Sequence, residues 1–330
     1  MKFKTLAAAA ALLCATAASQ AANVSFVINY VDAPGVGFND ATYGVQRKAV
    51  LETAVSYWSN LLVAGYAGET ISLNAGSDPA STSSSPGSAN ASLAYYTING
   101  TQYDAAMAQH KLGVNLTTAA DATNSAGTGA DARLIYNFTA GMTSQTYLGT
   151  DGNPPPDQFD MLTYSKRYVA HILGLESRIT TGLASQGAFL GGIPSAYDRL
   201  VAEKQADNSF LYLTAMTDTQ RVSALTGSNL YWMGTNAKAA NGGDFLKLNT
   251  LPLKADKTID PNAEVWADPV EQTLMSYGPL RGVSRSADAL TFGQLQDLGW
   301  TIAAVPEPST YAMLLAGLGL CGFIARRRSA

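Results

Sequence analysis

The spacing of apolar positions changes repeatedly along the first third of the chain, and each change predicts an element. In "NVSFVINYVD" (23–32), β-branched and aromatic residues alternate loosely with polar ones, which predicts a strand. The segment "YGVQRKAVLETAVSYWSNLLV" that follows switches to three-to-four spacing. It places Val45, Ala49, Glu52, Val55, Trp58 and Leu62 on one side, which predicts an amphipathic helix with that side inward. "TISLNA" (70–75) and "ARLIYNF" (132–138) read as strands, and the Ser/Gly/Pro-rich "GSDPASTSSSPGSANAS" (76–92) between them as a loop. Further on, "MTDTQRVSALTG" (216–227) reads as a short helix ending at Gly227. "NLYWMGTNAKAANGGDFLKL" reads as turns and short strands. "DALTFGQLQDLGW" (288–300) reads as a closing helix with Leu290, Phe292, Leu295 and Leu298 inward. A strand, a long helix and further strands predict an α+β body with its sheet covered by helices.

The two ends depart from this pattern. "MKFKTLAAAAALLCATAASQAAN" opens with Lys2 and Lys4, runs apolar, and finishes in small residues. This is the form of a secretory signal peptide over 1–21, removed by signal peptidase after Ala21. At the other end, "VPEPSTYAMLLAGLGLCGFIARRRSA" sets Pro306, Glu307 and Pro308 in a linker (303–310). An apolar stretch within 311–330 then reads as a transmembrane helix and ends at Arg326, Arg327 and Arg328. Arginines in that place stay cytoplasmic, so the body lies outside the inner membrane, tethered by its tail. Motif, apolar helix and basic end, in that order, resemble the PEP-CTERM sorting tail. The resemblance implies a Gram-negative host, recognition by an exosortase, and surface or extracellular release after transient anchoring.

Composition then narrows the chemistry. Charged residues are only 14% of the chain, which suits an exported protein. Cys14 and Cys321 both lie in the terminal segments, so the mature body has neither a disulfide nor a thiol nucleophile. Losing Lys2, Lys4 and the three terminal arginines makes the body more acidic than the full chain's net charge of −4. That balance excludes nucleic acid as a partner.

One segment carries a damaged motif. Metalloprotease helices place two histidines at i and i+4, where both imidazoles reach one Zn²⁺, with a Glu general base after the first. "RYVAHILGLES" keeps the frame: His171 stands at the second histidine and Gly174 at the helix break. Arg167 stands where the first histidine belongs and Tyr168 where the Glu belongs. A guanidinium has no lone pair for a metal, and a phenol is no carboxylate base near neutral pH. Around this helix "DARLIYNF", "YLGTDGNPPPDQFDMLT", "NLYWMGTNAKAANGG", "LMSYG" and "LTFGQLQDLGW" occur in order. Together they resemble secreted bacterial zinc metalloproteases of the metzincin-like type. The resemblance implies a zincin fold for residues 22–302, a twisted sheet with long helices and an irregular C-terminal half. It also implies a Met-turn at Met275 and a third ligand where this chain has Thr258. With zinc expected in the family and its ligands missing here, the cofactor expectation is none, with His171 and Glu176 as weak metal candidates. A carboxylate such as Glu176 or Asp160 is the expected ionic partner of Arg167.

Three functions follow. The preferred one is a pseudoprotease that binds a peptide, glycan or matrix partner without cutting. The alternatives are an active zinc endopeptidase with odd ligands (His171 with Glu176, Asp160 or His110), and a structural protein of an exopolysaccharide or biofilm matrix.

Overall fold

The computed structural model describes residues 22–81, 87–90, 95–116, 130–180, 185–249, 273–275 and 281–303. The predicted signal peptide, the sorting tail from residue 304 and Thr258 lie outside these residues.

The N-terminal half is built on a βαβ crossover. Strand β1 (Ser25–Tyr30) leads through helix α1 (Gly44–Ser59) and the short β2 (Leu62–Val63) to β3 (Thr70–Ser77), which pairs parallel to β1 with Ser25 opposite Thr70. The next pieces are β4 (Gly87–Asn90), the hairpin β5 (Tyr95–Ile98) and β6 (Thr101–Asp104), α2 (Ala105–Leu112) and β7 (Ala132–Tyr136). Strand β7 joins β3 in parallel, and β4 closes that edge antiparallel, giving the order β1-β3-β7-β4. After α3 (Ala140–Thr143), β8 (Thr146–Tyr147) and β9 (Phe159–Asp160) comes α4 (Met161–Ile172), the helix that carries Arg167, Tyr168 and His171.

The second half holds β10 (Val201–Lys204), β11 (Phe210–Tyr212), α5 (Asp218–Thr226), β12 (Leu230–Trp232), α6 (Thr235–Ala240), β13 (Leu246–Lys247), α7 (Ala289–Leu298) and β14 (Thr301–Ile302). Its sheet runs β11-β10-β12-β13, all antiparallel, while β14 returns to pair with β2 of the first half. One apolar core joins the two halves. Trp58, Tyr136, Ile172, Trp232 and Leu295 belong to it, all nearly or fully shielded from solvent. The expected α+β class describes this arrangement.

Three predicted details are corrected. First, α1 turns a different side inward. Its buried residues include Arg47, Val50, Leu51, Ala54, Val55 and Trp58, whereas Val45 is 82% exposed and Ala49 and Glu52 face solvent. The reason is Arg47, which lies over the Phe138 ring at 4.0 Å and donates to the Gly37 carbonyl at 2.7 Å. A buried cation that stacks and hydrogen-bonds rotates the inward face away from the purely apolar reading. The helix also stops at Ser59, so Leu62 is buried from a strand. Second, the predicted loop 76–92 contains the end of β3 and all of β4. An edge strand is held by its backbone ladder, and "GSAN" needs no apolar side chain to make one. Third, the supposed turns of 229–248 include helix α6, which packs on α7. Asp297 of α7 binds its N-terminus, accepting from the backbone N–H of Asn236 (2.8 Å) and Ala237 (3.0 Å).

Candidate functional site

Helix α4 begins because Asp160 caps it. The carboxylate accepts from Leu162 N at 3.3 Å and from Thr163 Oγ1 at 2.7 Å. It ends in a Schellman motif: Gly174 N donates to the His171 carbonyl (2.8 Å) and Leu175 N to that of Ala170 (3.2 Å). Gly174 sits at φ +98°, a conformation that demands glycine, and a Cβ there would have to push the Met107 side chain aside. One side of the helix is pinned to α1, where Trp58 Nε1 donates to the Lys166 carbonyl at 2.8 Å. The sequence therefore builds a helix over Met161–Ile172 with a glycine break at Gly174.

The side chains on this helix do not form a set of metal donors. His171 is fully buried. Its Nδ1 lies 2.8 Å from the Leu175 carbonyl, which can only accept, so Nδ1 carries the hydrogen. Its Nε2 therefore holds the lone pair, and Arg167 Nε donates to it at 3.3 Å. Burial, and then the Arg167 charge, hold His171 well below the usual imidazole range. Tyr168 turns away from Arg167 into the core. Its ring meets Tyr136 edge-on at 5.7 Å and tilts against Tyr164 at 6.0 Å. Met275 is buried in the short turn 273–275, where its N–H donates to Thr273 Oγ1 at 3.2 Å. Beside the helix, Arg285 donates to the Thr273 carbonyl at 3.2 Å, and burial together with Arg167 pushes its guanidinium down.

The two carboxylates expected near Arg167 each have a described partner. Asp160 caps the helix, and Glu176 Oε1 accepts from Arg178 Nη1 at 2.9 Å. Arg178 is the residue that sequence reasoning missed. Its Nη2 also donates to Asp104 at 2.5 Å, and its guanidinium lies over the Tyr95 ring at 4.7 Å. Burial opposes its charge, but Asp104 and Glu176 outweigh that and push Arg178 further up. A buried cation bracketed by two carboxylates thus stands just past the end of α4. The signal for it was the local sequence Glu176-Ser177-Arg178, but Asp104 and Tyr95 come from a hairpin more than seventy residues earlier. Ser177 and Ser195 close the neighbouring turn by donating their hydroxyls to buried Asp198 at 2.6 and 2.7 Å.

His110 is not brought to His171. It lies at the end of α2, bonded to buried Glu69 and tilted over Trp300. Among the described residues, no three of His, Cys, Asp and Glu gather in a way that could hold a metal ion. Nor, among those residues, is any helix long and apolar enough to cross a membrane; the predicted transmembrane segment falls outside them.

Residues 304–328 match the family described as the PEP-CTERM protein-sorting motif. No curated protein and no solved structure matches the chain. The motif indicates export and membrane-anchored sorting to the surface, and it supports exosortase as the partner that recognises the tail.

Proposed function

Taking an exported, surface-sorted protein as the premise, we propose that its body is a protease-shaped domain that binds an extended peptide and does not cut it. The observation that carries this reading is the Arg167 Nε to His171 Nε2 hydrogen bond at 3.3 Å. The lone pair a zinc ion would take is already committed, and the group committing it is a permanent cation. Tyr168, at the general-base position, faces the core rather than α4's open side. A zinc ion does not fit this donor set, and no step is routed through one.

The zincin reading of the fold draws support from the order β1-β3-β7-β4, with a lone antiparallel edge strand lying against α4. Among the described residues β4 is the last strand on its side of that sheet, and a sheet edge is where an extended peptide can add as a further strand. The peptide reading is preferred over a glycan or matrix role because this edge supplies main-chain recognition without sequence-specific pockets.

The test is zinc content by elemental analysis together with a casein cleavage assay on purified residues 22–305. The expectation is substoichiometric zinc and no cleavage. One zinc per chain, or proteolysis abolished by a chelator, would replace this reading with the endopeptidase.

A further inference from the structure

Three stretches of chain meet where the body gives way to its tail. Ala303 donates its N–H to the Leu61 carbonyl at 2.8 Å, so the chain leaves the body beside β2. The loop from β2 to β3 turns back there and presses on the end of α2. A Cβ on Gly65 would stand 2.9 Å from the His110 carbonyl, and buried Glu69 bonds His110 Nδ1 at 3.0 Å. The His110 ring in turn tilts over Trp300 at 4.3 Å between centroids, three residues before Ala303. The last turn of α2 therefore stands next to the exit.

The surface so assembled is nearly free of charge. Across residues 64–68, 111–116 and 298–303 the one charged side chain is Lys111, in a chain whose net charge is −4. Its ammonium lies over the Tyr103 ring at 5.3 Å. Gly113 caps α2 at φ +70°, and the residues flanking it, Leu112 and Val114, are each 48% exposed. The exposed positions of the β2–β3 loop are Gly65, Ala67 and Gly68. Single exposed aliphatic side chains are ordinary on a protein surface; this pair is set apart by where it stands.

The length of the tail decides what lies opposite. The motif in 304–328 indicates membrane-anchored sorting. Seven residues, 304–310, separate Ala303 from the apolar stretch that opens at Tyr311. With that stretch in the membrane, the exit is held within about 25 Å of it, the reach of seven extended residues. A domain of this size is roughly 50 Å across, so the tether is short enough to turn the exit end, and no other, toward lipid. Two aliphatic side chains transfer too little area to hold a free domain on a bilayer. A short tether raises the effective concentration to about the millimolar range, and the same two side chains then suffice.

We propose that the anchored body rests this end on the bilayer, with Leu112 and Val114 set into the boundary between headgroups and acyl chains. The apolar side chains carry the contact, and Lys111 is not needed for it. Cleavage of the tail removes the tether and the contact with it. None of these residues belongs to α4 or β4, so the docking stands if the peptide reading fails.

The test uses the full chain with Cys14 and Cys321 changed to serine, reconstituted through its tail into vesicles of phosphatidylethanolamine and phosphatidylglycerol. An environment-sensitive nitrobenzoxadiazole label is placed at Val114→Cys or, as a distant reference, at Val45→Cys. Val45 is 82% exposed and lies near the start of α1, about 21 Å along that helix from the Ser59 end that leads to β2. The expected result is a blue-shifted label at 114 that loses intensity to lipid carrying a nitroxide high on its acyl chain, while the label at 45 keeps its emission in water. Leu112→Ser, a change at an exposed turn, returns the 114 label to the emission of the 45 label and leaves the latter as it was. A 114 label that keeps its emission in water, an equal response at both positions, or a 114 response that Leu112→Ser leaves unchanged overturns the proposal.

Discussion

The two histidines of this chain stand in the last turns of two helices, and each fixes its tautomer by donating from Nδ1. They differ in what holds the ring. At His171 the partner is a backbone carbonyl on one side and Arg167 on the other, in a fully buried setting that keeps the ring neutral. At His110 the partner is a buried carboxylate, and the ring is tilted over Trp300. The same side chain is thus held by a backbone carbonyl and a guanidinium in one place and by a buried carboxylate in the other. A histidine in a suggestive motif is weaker guidance to chemistry than the account of its two nitrogens.

The largest effect that bears on this contrast is expected at the sealed end. Arg178→Met strands Asp104 and Glu176 in the interior and should cost about 3–5 kcal/mol in urea unfolding. A loss below about 1 kcal/mol would mean the α4 end is not held ionically. Next is Gly174→Ala, which forces a positive φ on alanine and drives its Cβ into Met107; about 2–3 kcal/mol is expected. Adding Met107→Ala relieves the clash but not the φ, so the double variant should be less destabilised than the two single losses added together.

The acid side of the stability curve is a smaller and more selective test. His171 has a folded pKa depressed below its unfolded value, so the unfolded chain takes the proton first. Its stabilising contribution is complete above about pH 6.5 and declines as pH falls below it, by at most ~1.4 kcal/mol per pH unit. His171→Gln should flatten the loss of stability between about pH 6.5 and 5. If the wild-type and variant slopes coincide, His171 is not sealed. Smallest is Arg167→Met, which removes the donor to Nε2 and a neighbouring positive charge. About 1 kcal/mol of stability is expected to go, and the His171 pKa read by NMR should rise. A pKa that stays put would show burial alone to be responsible.

Much of the scaffold was legible. β1, β3, β7, α1, α5 and α7 lie where apolar spacing put them, and the glycine that ends α4 does what its position implied. The failures have physical causes. Spacing rules assign Val45, Ala49 and Glu52 inward because they cannot see that Arg47 stacks on Phe138, a residue ninety positions away. β4 is written in Gly, Ser, Ala and Asn because its ladder with β7 is a backbone affair. α6 exists because Asp297 receives its first N–H groups, and that carboxylate is remote in sequence. At the candidate site, the places of Arg167, Tyr168 and His171 on one helix were readable from the sequence. The ionic centre was not, since Arg178 gathers one partner locally and the others from the β5–β6 hairpin. The Glu69–His110 pair was equally hidden, joining two segments forty-one residues apart.

The way the body ends has a mechanical consequence. Ala303, the last residue before the sorting motif, donates its N–H to the Leu61 carbonyl at 2.8 Å, and β14 lies antiparallel on β2. Tension on a membrane-held tail therefore enters the domain through a two-residue ladder, with Trp300 hooked onto the Leu173 carbonyl immediately behind it. Through the Trp300–Leu173 bond, that ladder is tied directly to the C-cap of α4, so a pull on the tail is transmitted to the end of that helix.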